Sequence, residues 1–296
     1  MEHIDTLKHS TTGKPSYRLA NANVFVSPRG YHYIDYLDPV ESLSPEIDES
    51  VLTEEEITYI EKSLQSNSER FENQANIVKS YTHSICNKRF LDIGCGGGLF
   101  LSKLSKEGAI TLGIELSDSR AHYARTKHAL EIIKRPIEDG YWQAQHSSFD
   151  VVTLWDVIEH VNYQESTLRL SANMLKSGGL LFIDTPCRDS LYHRFGEITY
   201  KISNGKYPTF LNSMYSAHPF GHKQIFSTSE MKDLFEKANL EVISLKRFHE
   251  LSFPYSFYLK KMLKSDLLVK LSLPIVSALL FLFPVKNKML VIGRKR

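Results

Sequence analysis

The sequence predicts an α/β fold: a doubly wound, mostly parallel sheet with helices on both faces. Three observations carry that reading. Phe90, Leu91 and Ile93 form a short apolar run broken by Asp92, as a buried parallel strand requires. Gly94, Gly96, Gly97 and Gly98 follow at once, and Leu99, Phe100, Leu101 and Leu104 then recur at helical spacing, so strand, glycine loop and helix share one stretch. Downstream, apolar runs at 110–114, 131–134, 148–154 and 180–186 alternate with helical patterns, the rhythm of parallel strands joined by crossovers.

With 296 residues the chain suffices for one large α/β domain with additions. A net charge of +2 argues against a nucleic-acid partner. Cys86, Cys95 and Cys187 are scattered without metal-type spacing, which fits a reducing compartment. The polar start MEHIDTLKHS has no signal-peptide core, so a cytoplasmic protein is expected.

Residues 1–50 read as an N-terminal appendage, and 51–296 as the main domain. In the appendage, Val24 to Val26 and Tyr31 to Ile34 read as two strands around a turn at Pro28-Arg29-Gly30, a β-hairpin. Its tyrosines either cover the sheet or line a substrate pocket; Pro39 to Ser50 is acidic and reads as loop. Thr53 and Glu56 have capping-box spacing and open a helix with Ile57, Ile60 and Leu64 on its apolar face. A second helical pattern spans 66–85.

The glycine loop lacks the dinucleotide fingerprint, because Leu99 stands where G-x-G-x-x-G needs its third glycine. That disfavours a nicotinamide-dependent oxidoreductase. Glu115 closes the strand at 110–114, about 20 positions past the first glycine, where a carboxylate accepts hydrogen bonds from both ribose hydroxyls of a nucleoside. Ser117 or Asp118 caps the next helix, and a third strand spans Glu131 to Lys134. Phe149-Asp150-Val151-Val152 lies in the fourth strand, and Trp155-Asp156-Val157-Ile158-Glu159-His160-Val161 follows. Leu168, Met174 and Leu175 mark a helix that stops at the Gly178-Gly179 signal before a fifth strand, Leu180 to Pro186.

The string D-x-G-x-G-x-G, the F-D-V-V strand, E-H-V and L-K-x-G-G-x-L together resemble class I S-adenosylmethionine (SAM) dependent methyltransferases, with the ubiquinone-type O-methyltransferases and related small-molecule enzymes as the best match. The resemblance covers Arg89 to Leu245 and implies a seven-stranded, Rossmann-like sheet that ends in a hairpin of strands at 240–245 and 288–293. It implies that SAM is held by Asp92, Gly94, Cys95 and Gly96 of the loop, by Glu115 and Leu116, and by Trp155. Pro136 stands where the family often has the acid that meets the adenine, so Ile137 and Glu138 are the local candidates.

At the reacting end the candidates are His160 and His222 (or His218) as general base. If a helical turn begins at Asp156, then Asp156, Glu159 and His160 share one face. With His222 they make a hard oxygen and nitrogen site that suits Mg or Mn. Some E-x-x-E-H relatives hold such an ion, though Asp156 is one methylene shorter than their glutamate. The alternative is a Glu159 that pairs locally and a His160 that packs under the SAM loop.

Residues 187–224 are rich in Tyr, His and Phe and read as a long, patternless loop that covers the substrate. Phe226 to Glu230 begins a further helix. An apolar insert at 251–285 interrupts the last hairpin; its charge-free part is too short to span a bilayer. Basic residues flank it, so 260–296 is expected to be a helix packed on its domain, a dimer contact or a peripheral membrane contact at the inner face. The function these readings imply is methyl transfer to a small-molecule acceptor, an oxygen atom first, on a lipid- or sugar-linked substrate. A SAM-binding module without catalysis and an RNA 2′-O-methyltransferase are the alternatives. Neither the acceptor nor the oligomeric state is legible.

Overall fold

The computed structural model describes residues 13–27, 30–39, 46–48, 52–251, 255–263, 265–282 and 285–296. The turn expected at Pro28 and Arg29 and most of the loop at 39–50 lie outside the described residues. Three short strands come first: β1 (Tyr17–Arg18), β2 (Asn23–Val26) and β3 (His32–Ile34). Helix α1 (Glu54–Ser66) starts at a capping box in which Thr53 and Glu56 satisfy each other's backbone N–H groups, and α2 (Ser68–Thr82) follows.

The main domain then alternates as expected. Strand β4 (Arg89–Ile93) leads to α3 (Leu99–Lys106), β5 (Ile110–Ile114) to α4 (Asp118–His128), and β6 (Glu131–Ile133) to a 3-10 turn at Gly140–Gln145. Strand β7 (Phe149–Trp155) leads to α5 (Gln164–Met174), and β8 (Leu175–Pro186) to α6 (Leu191–Ile202) and α7 (Thr209–Asn212). After β9 (Gln224–Ile225) come α8 (Thr228–Lys237), β10 (Leu240–Phe248), α9 (Tyr255–Leu263), α10 (Asp266–Leu282) and β11 (Lys288–Lys295).

Seven strands form the central sheet in the order β10-β11-β8-β7-β4-β5-β6. Neighbours from β8 to β6 pair in parallel, and β11 is antiparallel to both β8 and β10. Leu91, Val152, Leu154, Leu181 and Ile183 are fully buried in its middle, which is why these strands read as apolar runs. The order reverses between β4 and β7, so the crevice beyond their carboxyl ends is where an open α/β sheet binds its ligand.

Several local expectations are revised. The helix α5 does not stop at the Gly178-Gly179 signal: Leu175 already turns extended and buries its side chain, and Lys176 to Gly179 form an irregularity inside β8. The Lys176 ammonium is held there by both oxygens of Asp150, at 2.9 Å. Ser117 occupies the N-cap of α4, but its hydroxyl meets Ser119 rather than the backbone. The 187–224 segment is not patternless. Ser190 caps α6 by accepting from the His193 N–H, and α6 and α7 are packed together. Strand β9 at its end pairs with β3, so the N-terminal strands and the insert share a four-stranded antiparallel sheet, β1-β2-β3-β9. The 251–285 insert is a pair of helices, α9 and α10, with Pro274 inside α10.

Candidate functional site

The glycine loop sits at the topological switch. Gly94 takes φ +74° and its missing Cβ would meet Val157 at 2.5 Å; Gly96 takes φ +56° with open space where a Cβ would be. Both conformations favour glycine, and the space beside Gly96 is open. Glu115, at the end of β5, is buried. Its two oxygens accept from the Gly96 N–H at 2.7 Å and the Ser117 N–H at 2.8 Å, so its carboxylate faces the loop. Asp92 lies beneath, 2 % exposed, and accepts from the Thr153 hydroxyl at 2.6 Å. Burial pushes its carboxyl up to about 8, with Glu115 adding to the rise against the Thr153 hydrogen bond.

The other residues expected around SAM divide. Cys95 and Ile137 are buried in the two halves of the core, and Leu116 packs partly on it. Glu138 is exposed and accepts from the Thr167 hydroxyl at 2.5 Å. Trp155 packs edge-on against Phe100, and its indole N–H is buried without a partner. Helix α1 closes the loop from outside, with Leu64 and Ile60 against Gly97. A buried Asp92 carboxyl, protonated by itself near pH 7 and ionised by an arriving ammonium, a Glu115 carboxylate suited to a ribose and an open glycine loop fit SAM.

The segment after β7 forms no helical turn at Asp156. Asp156 takes φ +51°, and its carboxylate is paired with cations rather than grouped with Glu159 and His160. Arg70 of α2 reaches it at 2.5 Å and Lys288 of β11 at 2.6 Å. Asp184 and Glu250 join the same two cations, so Asp156 belongs to an ion cluster rather than to the site expected for a metal. Burial alone would raise the Asp156 carboxyl, but Lys288 and Arg70 hold it down at about 2.

Glu159, His160 and His222 do converge: one ligand atom from each lies within 4.8 Å of the others. The Glu159 carbonyl accepts from the Lys223 N–H at 2.8 Å, which pins the end of the insert against the turn after β7. The fully buried Lys223 ammonium donates to the His160 carbonyl at 2.7 Å and to Asp38 at 2.8 Å. His160 and His222 then lie with ring centroids 4.7 Å apart, whereas His218 is exposed and bonds Pro219. Glu159 accepts from the Thr185 hydroxyl on one oxygen, while its other oxygen and His160 Nδ1 are buried without partners. His222 Nδ1 pairs with the Met214 carbonyl at 3.1 Å, which leaves Nε2 for a ligand. Burial pushes Glu159 up to about 7, helped by the Asp156 charge, and burial lowers both imidazoles. Thr185, Arg70, Lys223 and Lys288 contact the candidate residues, and no motif in the sequence marks them.

The methyltransferase-domain family profile matches residues 54–245, more than half of the chain. The chain belongs to this methyltransferase family. It is a class I SAM-dependent methyltransferase. Among curated relatives it is 28% identical over 170 residues to the ubiquinone biosynthesis O-methyltransferase of Shewanella halifaxensis, covering 56% of this chain and 68% of that one. The protein of the same description from Azoarcus sp. is 30% identical over 165 residues, covering 54% and 67%. Against others of that description the methyltransferase spans about half of their length. A chain of the Haloferax volcanii complex between the Trm112 methyltransferase activator and a methyltransferase superposes with TM-score 0.54 at 15% identity, covering 82% of this chain and 98% of that one, a likeness of fold.

Proposed function

We propose that this methyltransferase transfers the SAM methyl group to an oxygen of a small-molecule acceptor held against Glu159, His160 and His222. The observation that carries the reading is the convergence of those three side chains, with unpartnered buried atoms on Glu159 and His160. SAM supplies an already activated methyl group on a sulfonium sulfur. The chain's share is to hold the cofactor through Asp92, Gly96 and Glu115, to seat the acceptor in line and to take its proton. Burial keeps the two imidazoles neutral near pH 7, ready to accept that proton or to ligate a metal. Without Asp156 the set is one carboxylate and two imidazoles, so Glu159, His160 and His222 would hold Mn or another imidazole-tolerant divalent ion rather than Mg, and it would supply Lewis acidity toward the acceptor oxygen. The names of the relatives support oxygen as acceptor and a lipid-linked substrate.

The same reading includes peripheral membrane contact through 260–296. No helix among the described residues is long and apolar enough to cross a membrane. Helix α10 nevertheless presents Leu267, Leu271 and Ile275 to solvent at one-turn spacing, each above 60 % exposed, and Lys270, Lys286 and Arg294 lie nearby in the sequence.

Transfer of labelled methyl from SAM to a panel of phenolic and lipid-linked hydroxyl acceptors tests the function, run after EDTA with and without added Mn. His160→Ala and His222→Ala are expected to lose about 10²–10⁴-fold in kcat. Full activity in both variants overturns the assignment of the reacting end; full activity without metal removes the cation alone.

A further inference from the structure

Outside the SAM crevice, His32 on β3 and His193 and Glu197 on α6 form a second convergent cluster, with one ligand atom from each within 4.8 Å of the others. His193 is fully buried and His32 is 9 % exposed. Both Nδ1 atoms are buried without a hydrogen-bond partner, an uncommon state for two imidazoles 6.0 Å apart between ring centroids. His193 Nδ1 lies 3.8 Å from a Glu197 oxygen. The arrangement around them is that of supported ligands. His193 Nε2 meets the buried Tyr215 hydroxyl at 3.2 Å, a partner that would fix the ring and leave the Nδ1 lone pair toward an ion. The Tyr17 hydroxyl donates to Glu197 at 2.7 Å and orients its carboxylate. Two cations near the cluster oppose a metal, Arg188 and Lys201; the Arg188 charge is taken up by Glu230 and the Gly30 carbonyl, and Lys201 acts on His32 more weakly.

We propose that His32, His193 and Glu197 form a structural zinc site that clasps the N-terminal sheet to the helix covering the active site. Two imidazoles and a carboxylate are borderline donors that suit Zn²⁺, with a water in the fourth position at the half-exposed Glu197. Zn–N and Zn–O bonds near 2.0–2.1 Å set tetrahedral ligands about 3.4 Å apart, so the cluster closes on an ion with side-chain movements of about 1 Å. The consequence reaches the reaction indirectly: β3 pairs with β9, His32 opposite Ile225, three residues past His222. A metal between β3 and α6 would fix the cover that presents His222.

The test uses the full chain, stripped with chelator and titrated with Co²⁺ and then Zn²⁺. The His222→Ala background separates this site from the Glu159 cluster. His222→Ala is expected to develop tetrahedral cobalt absorption that saturates at about one ion per chain and is displaced by zinc, and the further substitutions are made in that background. His32→Gln and Glu197→Gln, checked for wild-type circular dichroism, are expected to bind at least ~10-fold more weakly. Absence of the cobalt signal in His222→Ala, or unchanged affinity in both His32→Gln and Glu197→Gln, overturns the proposal. If those variants unfold, hydrogen exchange on wild type decides. Zinc is expected to slow exchange across α6, and no change on adding zinc overturns the site.

Discussion

At the scale of single residues, Glu115 is the most legible part of the proposed cofactor site, because its position depends only on one strand end and a fixed distance from the glycines. Its carboxylate already accepts two backbone N–H bonds, so it is oriented before any ligand arrives. Loss of a charged acceptor for the ribose hydroxyls is worth about 1.5–3 kcal/mol, and calorimetry on Glu115→Ala is expected to show SAM affinity lowered accordingly. Unchanged affinity would remove Glu115 from the site. Asp92 makes a pH prediction. Its carboxyl, near 3.9 when unfolded, sits at about 8 when folded, so the native state holds a proton that the unfolded chain releases. Stability therefore falls as pH rises through that window, and the penalty is complete only above pH 8. Asp92→Asn keeps the oxygen that accepts from Thr153 and lacks the penalty. Its melting temperature is expected to gain on wild type as pH rises from 5 to 8, and a constant difference would refute the shifted carboxyl. Asp156, by contrast, was misplaced in the sequence reading because a left-handed φ cannot be inferred from D-V-I-E-H.

At the scale of elements, the sheet was readable because each parallel strand is buried on both faces and carries its own apolar run. What escaped were features set by tertiary contact. Leu175 ends α5 before its glycines because the core takes its side chain. Helix α6 carries Leu191, Phe195, Ile198 and Ile202 at helical spacing, a pattern open to the sequence; what the sequence does not show is that this stripe faces solvent instead of the core. Helix α10 was legible as an apolar helix but not in its placement: α9 and α10 pack chiefly on each other, and Val269 is buried while Leu267 and Leu271 are not. Exposed apolar side chains contribute little to folding, so Leu267→Ser with Leu271→Ser is expected to change stability by about 0.5 kcal/mol or less. The same double variant is expected to reduce co-sedimentation with anionic liposomes at low salt. Wild type left in the supernatant would instead make this face a protein interface.

At the scale of the whole molecule, the candidate crevice is bordered by groups far apart in the chain. Arg70, Asp156, Asp184, Glu250 and Lys288 come from α2, the turn after β7, β8, the segment after β10, and β11, and they meet in one ion cluster. No local pattern in the sequence announces it, since each member reads alone as a surface charge. The cluster fastens the helix that precedes the glycine loop to the turn that carries Glu159 and His160. Removal of one partner of a buried pair leaves uncompensated charge and typically costs about 3–5 kcal/mol. The Arg70–Asp156 pair is part-buried and Lys288 still meets the same carboxylates, so Arg70→Met is expected to destabilise the protein by less, about 1.5–3 kcal/mol, in urea at pH 7. The pH dependence distinguishes this from lost packing. In wild type the Asp156 carboxyl is held at about 2, below its unfolded value, so its stabilising contribution is present above pH 4 and is lost as pH falls toward 2. Without Arg70 that carboxyl rises and the contribution shrinks, so the gap between Arg70→Met and wild type is widest at pH 7 and narrows on acidification. Asn tolerates the left-handed backbone at 156, so Arg70→Met combined with Asp156→Asn is expected to recover part of the loss at pH 7. A gap that is the same at pH 7 and pH 3, with no recovery in the double variant, would mean that Arg70 acts through its packing and that the cluster does not couple α2 to the site.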